Sequence, residues 1–365
     1  MDNRMTVHLD EKPIYDIVFS DSFNQLSTEL EGLDIKQRRI CIVSDTNVGT
    51  QYFEDIKQCL AGKCREVITF MFKAGEENKN LDVVKSLYEA LIVAEFDRGD
   101  MLIALGGGVV GDLTGYTAAT YLRGIDFVQI PTSLLSQVDS SIGGKTGVDF
   151  SSYKNMVGAF HMPKLVYINV NTLNTLPDRE FISGMGEIIK HGIIKDASYF
   201  TWLMEHAREI KSRNTETLLE MIRVSCNIKR LVVENDPKEK GERALLNFGH
   251  TLGHAIEKDQ NFAYLHGECV AMGMILAAKL SVQKGFISQS VYEDICDLIT
   301  MFPFPDFPEE MDIPKVVKIT KNDKKMAAGK IKFILMRNIG EAFIDTSVTE
   351  NDMEGALNAV YEEIY

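Results

Sequence analysis

The chain has 365 residues, of which 45% are apolar and 25% are charged. This composition is typical of a globular protein and excludes disordered, collagen-like and coiled-coil chains, and the length favours two domains. Acidic residues outnumber basic ones, and the formal net charge is −14. We therefore expect neither nucleic acid nor a membrane as a partner, and an anionic small-molecule substrate would need a local cluster of cations.

The first residues contain no apolar segment of the kind that directs secretion, and no apolar run reaches the roughly 18 residues of a membrane span. The six cysteines form no C-x-x-C pair, so a cysteine-based zinc site is not expected. Cysteines without a secretion signal are typical of free thiols in a reducing compartment. The sequence therefore predicts a cytoplasmic protein.

Short apolar runs alternate with helical patterns in the first half of the chain. The runs lie at 40–43, 67–72, 101–105, 127–130 and 165–168, and a helical spacing of apolar residues covers 81–95. Strands that are apolar on both faces and separated by helices indicate a parallel sheet with helices packed on its faces. The first half therefore predicts an α/β domain.

The pattern changes near residues 170–176, where helical spacing becomes dominant. Helices are expected at 177–195, 198–233, 251–258, 269–284 and 288–301, and a small hairpin at 332–335 and 341–344. The sequence thus predicts an α/β domain over residues 1–174 and a mainly α-helical domain over residues 175–365.

A glycine-rich segment, Gly106 to Gly111, follows the run at 101–105 and fits the pattern G-x-G-x-x-G. Glycines at such a turn let backbone N–H groups approach a pyrophosphate at the start of a helix, although a tight turn alone would explain them equally well. Asp126 stands at the spacing of the acidic residue that the pattern requires. Polar residues also follow other predicted strands, and these positions should gather at one sheet edge: Asp45, Asn47, Thr132 and Ser133.

A second glycine-rich segment runs from Asp139 to Thr146 and ends in Gly-Lys-Thr, like a nucleotide-binding P-loop. The full P-loop pattern needs glycine where Asp139 stands, so we exclude nucleoside triphosphate chemistry here. Lys145 beside two glycines is expected to anchor an anion, or else to be a solvated lysine in a turn.

Three of the seven histidines, His250, His254 and His266, lie close together in the sequence. Imidazoles with a carboxylate suit Zn²⁺, and three protein ligands leave one position open for substrate. Glu187 and Glu257 are the candidate acids. The spacing does not decide whether the remaining ligand is a third histidine or a glutamate, and the metalloprotease pattern His-Glu-x-x-His is absent.

A basic segment near the end of the chain is unusual in so acidic a protein. It contains Lys321, Lys324, Lys325, Lys330 and Lys332. Such a segment could bind phosphate or carboxylate groups, although a solvated loop is the commoner explanation. Further scattered cations are Lys190, Lys229 and Arg243.

Four motifs taken together resemble one known family. They lie at 106–112, 139–146, 246–257 and 266–268, in the order found in 3-dehydroquinate synthases. The longest, LNFGHTLGHAIE, is the most specific, and the resemblance extends from about residue 40 to residue 336. It implies a Rossmann-like NAD-binding domain followed by a helical domain that binds metal and substrate.

The reaction that the resemblance implies converts 3-deoxy-D-arabino-heptulosonate 7-phosphate to 3-dehydroquinate and phosphate, with NAD⁺ regenerated in each turnover. The implied cofactors are NAD and Zn²⁺, for which Co²⁺ could substitute, and the implied assembly is a homodimer. Two alternatives remain. One is another sugar phosphate cyclase, and the other is a metal-dependent polyol dehydrogenase, which would release NADH.

The resemblance also assigns roles to individual residues. It implies that Glu187, His250 and His266 are the zinc ligands. NAD contacts are implied for Asp45, Asn47, Glu76, Lys79, Gly106, Gly107, Gly108, Asp112, Thr132, Ser133, Asp139, Lys145, Lys154, Thr172, Leu173 and Thr175. Substrate contacts are implied for Arg123, Asp139, Lys145, Asn155, Lys190, Lys229, Arg243, Asn247, His254, Lys324 and Lys325. Catalytic roles are implied for Lys145, Glu239, Arg243, Asn247 and His254.

The family resemblance changes one expectation, and the sequence departs from the family pattern at three positions. Asp45 and Glu76 replace Asp126 as the acids on the adenosine side of NAD. The departures are Ala74 where proline is common, Ser133 where the family has threonine, and Pro237 where an acidic residue is common. None removes an assigned role, but we expect Pro237 to shift the loop that carries Glu239.

Overall fold

The computed structural model describes residues 3–151, 153–237, 239, 241–321, 326–327 and 330–364. Within these residues the chain forms two compact units. The first comprises the chain up to Leu176 together with Leu218–Arg230, and the second comprises Pro177–Thr217 together with the chain from Leu231 onward. The sequence analysis assigned 218–230 to the second domain, whereas this helical segment belongs to the first unit.

The first unit is built on one sheet with seven strands among the described residues. In spatial order the strands are β1 (Arg4–Leu9), β2 (Lys12–Ser20), β9 (Leu165–Asn169), β6 (Asp126–Pro131), β5 (Met101–Gly106), β3 (Arg39–Asp45) and β4 (Glu66–Phe72). All neighbours pair in parallel except β1 with β2. The predicted parallel sheet is therefore confirmed, and the five apolar runs lie in β3, β4, β5, β6 and β9.

Two hairpins of the first unit were not predicted from the sequence. One is β1 with β2, and the other is β7 (Lys145–Phe150) with β8 (Tyr153–Phe160), which forms a separate antiparallel pair. Strand β8 is largely exposed, so it lacks the continuous apolar run that marks a buried strand.

Alternate residues of the central strands enter different apolar clusters. Along β3, Cys41 and Val43 belong to one cluster, and Ile40 and Ile42 belong to another. Because successive side chains of a strand point to opposite faces, both faces of the sheet are covered. This explains why the central strands read as unbroken apolar runs.

Helices cover these faces and begin near the carboxyl ends of the strands. They are α1 (Leu26–Glu31), α2 (Gly49–Leu60), α3 (Leu81–Val93) and α4 (Gly108–Thr120). The side chain of Asn80 caps α3 by accepting hydrogen bonds from the N–H groups of Asp82 and Val83, at 3.0 and 3.1 Å. In parallel strands the carboxyl ends lie at one edge, so the loops before α2, α3 and α4 gather there.

The second unit is mainly helical, as predicted. Its helices are α5 (Asp178–Lys195), α6 (Ala197–Glu205), α7 (Ala207–Lys211), α9 (His250–Asp259), α10 (His266–Gln283), α11 (Gln289–Thr300), α12 (Ile313–Thr320) and α13 (Glu350–Ile364), while α8 (Thr215–Asn235) runs through both units. Strands β10 (Met326–Ala327) and β11 (Lys330–Ile331) form one pair, and β12 (Phe333–Asn338) and β13 (Glu341–Asp345) form the predicted hairpin.

The single helix predicted over 198–233 is wrong, because three helices occupy this stretch. The chain leaves helical geometry before α8, where Arg213 has a φ of 56°. Asn214 then begins α8 by accepting a hydrogen bond from the Thr217 N–H at 3.1 Å. Side-chain capping of this kind breaks a helix although the apolar spacing continues.

Helix α10 is buried on nearly all sides from Gly267 to Ser281, and its residues there are small or apolar except for Glu268 and Lys279. A helix that is apolar all round is a core helix, and α10 is the one on which α5, α9, α11 and α13 pack. Among the described residues no helix is both long enough and apolar enough to cross a lipid bilayer. No disulfide joins any of the six cysteines, all of which lie in the described part of the chain.

Candidate active site

The glycine-rich segment forms a tight connection from β5 to α4. Gly106 ends β5, Gly107 precedes the helix, and α4 starts at Gly108. A Cβ on Gly106 would lie 2.5 Å from the Val110 side chain, and one on Gly108 would lie 3.1 Å from the Ser140 hydroxyl. Glycine at these positions leaves room for the Val110 and Ser140 side chains. The first N–H groups of α4 lack acceptors within the helix and could bind an anion such as a pyrophosphate.

Several of the predicted NAD-contacting residues lie at the same carboxyl edge of the sheet. Asp45 ends β3 and its Oδ1 accepts hydrogen bonds from the N–H groups of Asn47 and Val48, at 2.9 and 3.0 Å. Thr132 and Ser133 follow β6 directly. The 3₁₀ turn after β9 carries the last three, Thr172, Leu173 and Thr175.

A buried lysine joins three elements next to this edge. The Nζ of Lys79 lies 2.7 Å from Asp112 Oδ2 on α4, 2.7 Å from Asn155 Oδ1 on β8 and 3.6 Å from Glu76 Oε1. Burial alone would lower the pKa of Lys79, but Asp112 and Glu76 outweigh it and hold that pKa above its usual value. Burial raises the pKa of Asp112, and Lys79 opposes this rise. Lys79 therefore orders the loop before α3.

A second charged pair of the first unit joins Lys229 and Asp139. The ammonium of Lys229 contacts both the carboxylate and the carbonyl oxygen of Asp139. One turn earlier on α8, the thiol of Cys226 donates to the Gln137 carbonyl at 3.3 Å. Burial raises the pKa of Cys226, so this thiol is a neutral packing group. The pair fixes the segment that precedes Lys145.

Three cations assigned to ligand binding lie on the surface of the first unit. Arg123 follows α4 with a φ of 70°, Lys145 begins β7, and Lys154 lies in β8, and all three are exposed. Their side chains are therefore accessible to an anion.

Asp126 does not belong to the ligand-binding edge. It starts β6 and pairs with Met101 at the start of β5, which is the edge opposite to Gly106. Its carboxylate lies 2.7 Å from Arg38 Nη1 and 3.4 Å from Lys164 Nζ. Burial by itself would raise the pKa of Asp126, but these cations outweigh it and lower that pKa. The first sequence-based choice of Asp126 as a cofactor acid is wrong, because it lies at the amino end of its strand.

In the second unit, Glu187 meets two of the three clustered histidines. Its Oε1 atom lies 3.4 Å from His250 Nε2 and 3.2 Å from His266 Nε2. Tetrahedral Zn²⁺ with bonds of about 2.0–2.1 Å requires its ligand atoms to stand about 3.3 Å apart. Each imidazole therefore stands at a separation from the Glu187 carboxylate that suits a shared zinc ion.

The protonation states of these groups also suit a metal. Burial lowers the pKa of His250 to about 4, so its imidazole is neutral at physiological pH. Its Nδ1 atom lies 3.1 Å from the Phe248 carbonyl, which orients Nε2 toward Glu187. Burial would raise the pKa of Glu187, but Lys190 and the histidines outweigh it and hold that pKa well below its usual value. An ionised carboxylate and a neutral imidazole are the forms that bind Zn²⁺.

His254 lies beside Glu187, His250 and His266, with its ring close to those of the other two histidines. Its ring centre is 5.1 Å from that of His250 and 5.6 Å from that of His266. One ring nitrogen from each of the three histidines lies within 4.8 Å of the other two, so a three-histidine set is also close enough to hold a metal. Glu257, the other candidate acid, is buried in α9. The structure thus brings Glu187 into contact with His250 and His266 and places His254 beside both of these histidines.

Close helix crossings bring these residues together. A Cβ on Gly267 would lie 1.7 Å from the Ser183 carbonyl oxygen, and one on Gly273 would lie 1.8 Å from the Gly249 carbonyl oxygen. Only glycine permits backbones to approach so closely. Helix α10 therefore lies directly against α5 and against the start of α9, which carry Glu187 and His250.

The remaining predicted catalytic residues lie on the loop between α8 and α9. Asp236 Oδ2 accepts hydrogen bonds from the N–H groups of Gly241 and Arg243, at 2.6 and 3.1 Å. The buried Arg243 side chain donates to the Pro237 carbonyl at 2.8 Å, and Asn247 Nδ2 lies 3.3 Å from Glu239 Oε1. Pro237 thus contributes an acceptor, and the loop keeps Glu239 next to Asn247.

The remaining assigned cations are Lys190 and the basic segment near the end of the chain, and the structure places them differently. The ammonium of Lys190 contacts Glu187 and is buried. In the basic segment, Lys321 pairs with Glu350 at the surface, at 2.8 Å, and Lys324 and Lys325 lie outside the described residues.

Two features were not predicted from the sequence. They are Asp236, which orders the loop between α8 and α9, and the pair of Arg179 and Glu268 next to His266. The Arg179 guanidinium lies 2.7 Å from Glu268 Oε1. The sequence could have indicated Arg179, because it stands eight residues before Glu187 and so lies on the same face of the predicted helix.

Comparison with known proteins identifies the family. Residues 69–183 match the family described as 3-dehydroquinate synthase N-terminal, and residues 184–326 match its C-terminal counterpart. The chain belongs to the 3-dehydroquinate synthase family. It is 42% identical to the 3-dehydroquinate synthase of Acetivibrio thermocellus over 351 residues, which cover 96% of this chain and 97% of that one. It is 44% identical to the enzyme of that name from Colwellia psychrerythraea over 342 residues, covering 93% and 96% of the two chains.

A solved structure shares the fold along nearly the whole chain. The 2-epi-5-epi-valiolone synthase from Streptomyces hygroscopicus subsp. jinggangensis, solved with NAD⁺ and Zn²⁺ bound, is 28% identical. It superimposes with a TM-score of 0.87 and covers 96% of this chain and 97% of its own. The predicted combination of an α/β part with a helical part is therefore that of a sugar phosphate cyclase, as expected for a 3-dehydroquinate synthase.

Proposed function

We propose that this chain is a lyase that converts 3-deoxy-D-arabino-heptulosonate 7-phosphate to 3-dehydroquinate and inorganic phosphate. The observation that carries the proposal is the contact of Glu187 with both His250 and His266, in a family whose named relatives are 3-dehydroquinate synthases. When bound, NAD⁺ takes up and returns a hydride, and Zn²⁺ or Co²⁺ polarises the substrate hydroxyl oxygen.

The NAD site of this proposal lies at the carboxyl edge of the first sheet. The start of α4, with Gly106, Gly107 and Gly108, holds the pyrophosphate, and Asp45 faces the adenosine side. Asp45 supports this role because one carboxylate oxygen is used by Asn47 and Val48, which orients the group at the edge. Other proposed NAD contacts are Asn47, Glu76, Lys79, Asp112, Thr132, Ser133, Asp139, Lys145, Lys154, Thr172, Leu173 and Thr175.

The metal site of this proposal consists of Glu187, His250 and His266. Lys190 pairs with the other oxygen of the Glu187 carboxylate, Oε2, and we assign it to contact the substrate beside the metal. His254 lies beside the two ligand histidines and is proposed to move a proton to or from the substrate.

The anionic groups of the substrate need cations, which the chain supplies. We assign the phosphate and carboxylate to Arg123, Lys145, Lys190, Lys229, Arg243, Lys324 and Lys325, with Asp139, Asn155, Asn247 and His254 as further substrate contacts. Arginine and lysine bind such groups through charge-assisted hydrogen bonds. Glu239 orients the Asn247 amide, which lies 3.3 Å from it.

The proposed reaction order follows from the substrate. Oxidation of one hydroxyl to a ketone acidifies the neighbouring C–H bond, so that phosphate leaves by elimination and itself accepts the proton. Return of the hydride, opening of the ring and closure of the enolate onto the ketone then give the carbocycle. The residues of the site must hold every intermediate and exclude water throughout.

A turnover assay with the purified chain tests this function. We expect phosphate release from the heptulosonate phosphate in the presence of NAD⁺, with no net NADH absorbance and with loss of activity after chelation. Steady NADH formation would instead indicate a polyol dehydrogenase. Release of phosphate only from a different sugar phosphate would indicate another cyclase.

Two further properties belong to this proposal. We assign the chain to the cytoplasm, which the absence of disulfides among the six cysteines supports. We also propose a homodimer, which light scattering of the purified protein tests directly, since a monomeric mass would contradict it.

A further inference from the structure

One face of α5 meets the first three residues of α10 in register. Arg179, Ser183 and Glu187 are spaced four residues apart on α5, so they share one face of the helix. Each contacts one member of the sequence His266-Gly267-Glu268: Glu187 lies 3.2 Å from His266 Nε2, the Ser183 hydroxyl accepts from the Gly267 N–H at 3.1 Å, and Arg179 pairs with Glu268.

The pair at the end of this series is bidentate. Arg179 Nε lies 2.7 Å from Glu268 Oε1, and Arg179 Nη2 lies 2.8 Å from Glu268 Oε2. The same carboxylate accepts the Leu265 N–H at 2.7 Å and so caps α10 immediately before His266. Glu268 is 2% exposed, whereas the Arg179 side chain is 57% exposed. A buried carboxylate thus depends on a surface arginine that has no contact with the metal position.

The glycine crossing makes this register strict. Because the Gly267 backbone lies directly on the Ser183 carbonyl, α10 cannot approach α5 further. The Arg179–Glu268 pair opposes the other movement, in which the start of α10 slides or lifts away from α5. Together they keep the His266 imidazole at the 3.2 Å separation from Glu187 that a tetrahedral cation needs.

We propose that Arg179 and Glu268 are positioning residues that preset the geometry of the metal site through His266. This inference rests on the proposed function only in taking Glu187, His250 and His266 as the metal ligands. Residues that orient metal ligands without touching the metal typically contribute about 10–100-fold in metal affinity. The pair therefore acts on metal binding and not only on folding.

The test is the Zn²⁺ affinity of the metal-free chain, measured by competition with a chromophoric chelator. We expect Arg179→Ala and Glu268→Gln each to weaken Zn²⁺ binding by about 10–100-fold while far-UV circular dichroism stays unchanged. Arg179→Lys should restore part of the affinity, because lysine offers a point charge without the two-pronged geometry. The matched control is Asp178→Asn, at the residue next to Arg179 on α5. This substitution breaks the ion pair between Asp178 and Arg213 and should leave the Zn²⁺ affinity unchanged.

A spectroscopic measurement separates positioning from stability. At saturating Co²⁺, we expect the visible absorption bands of Arg179→Ala to shift relative to the wild-type chain, because the ligand geometry differs even when the site is full. Equal Zn²⁺ affinity and equal Co²⁺ spectra in wild type and Arg179→Ala, with only a lower melting temperature, would overturn the inference. Failure of the wild-type chain to bind either metal would instead overturn the proposed function.

Discussion

The crossing of α10 over α5 predicts a large effect of adding one methyl group at Gly267. The new Cβ would lie 1.7 Å from the Ser183 carbonyl oxygen. A tolerable carbon–oxygen contact is about 3.3 Å, so the start of α10 must move by about 1.6 Å. Both clashing groups are close to the backbone, so no rotation of a side chain can relieve the contact.

This movement would disrupt the proposed metal site more than the fold. His266 precedes Gly267 directly, and a shift of that size would carry its imidazole out of the 3.2 Å contact with Glu187. We expect Gly267→Ala to lower the free energy of unfolding of the metal-free chain by about 1–3 kcal/mol, as overpacked cores do. We further expect Zn²⁺ affinity to fall by at least the roughly 10–100-fold that loss of an outer-shell partner costs, since His266, a proposed ligand, is itself displaced.

Urea denaturation and chelator competition measure the two effects separately. The control is Gly355→Ala in α13, where the nearest atom to the new Cβ is the Gln283 side chain at 3.9 Å. Alanine is favoured over glycine inside a helix by about 0.5–1 kcal/mol, so this variant should be slightly more stable and bind Zn²⁺ normally. Wild-type Zn²⁺ affinity in Gly267→Ala would refute the role assigned to the crossing.

Three further predictions follow from the site and the fold. His250→Ala should lose bound metal and activity together, and full zinc occupancy by elemental analysis would contradict its assignment as a ligand. Lys145→Ala should lower turnover by orders of magnitude with an unchanged circular dichroism spectrum, and near-normal turnover would mark Lys145 as a surface residue only. Because Arg38 and Lys164 lower the pKa of Asp126, its ionised form stabilises the fold at neutral pH; that contribution should disappear as the pH falls through the lowered pKa. The urea midpoints of wild type and Asp126→Asn should therefore differ at pH 7 and converge in acid, and a constant difference would show that the charge of Asp126 is not the cause.

Most of the regular structure was predictable because it depends on local patterns. A strand buried on both faces must be apolar throughout, so β3, β5 and β9 could be read directly from short apolar runs. The hairpin of β7 and β8 could not, because β8 is largely exposed and its sequence resembles that of a loop. The break between α7 and α8 was also missed. Apolar spacing alone predicts one continuous helix, whereas Asn214 caps the start of a new one.

The direction of strand β6 explains why the choice of Asp126 as a cofactor acid is wrong. Spacing along the chain made it a candidate for the cofactor, but it stands at the amino end of β6. In parallel strands the amino and carboxyl ends lie at opposite edges, so Asp126 is remote from the glycine turn at 106–108. The position of Asp126 at the start of its strand, which the sequence already indicated, was therefore a better guide than its spacing from the glycine-rich segment.

The sequence by itself determined that a sheet edge would carry a glycine turn with polar residues, and that histidines would cluster, because both are consequences of neighbouring residues in the chain. It could not decide between Glu187, Glu257 and His254 as the partner of His250 and His266, because separation along a chain does not measure distance in space. The tertiary structure brings Glu187 to both histidines through two helix crossings that only glycine permits, and this contact supports Glu187 as the proposed third ligand. These crossings bring α5 against α10, and with them Glu187 to within 3.2 Å of His266.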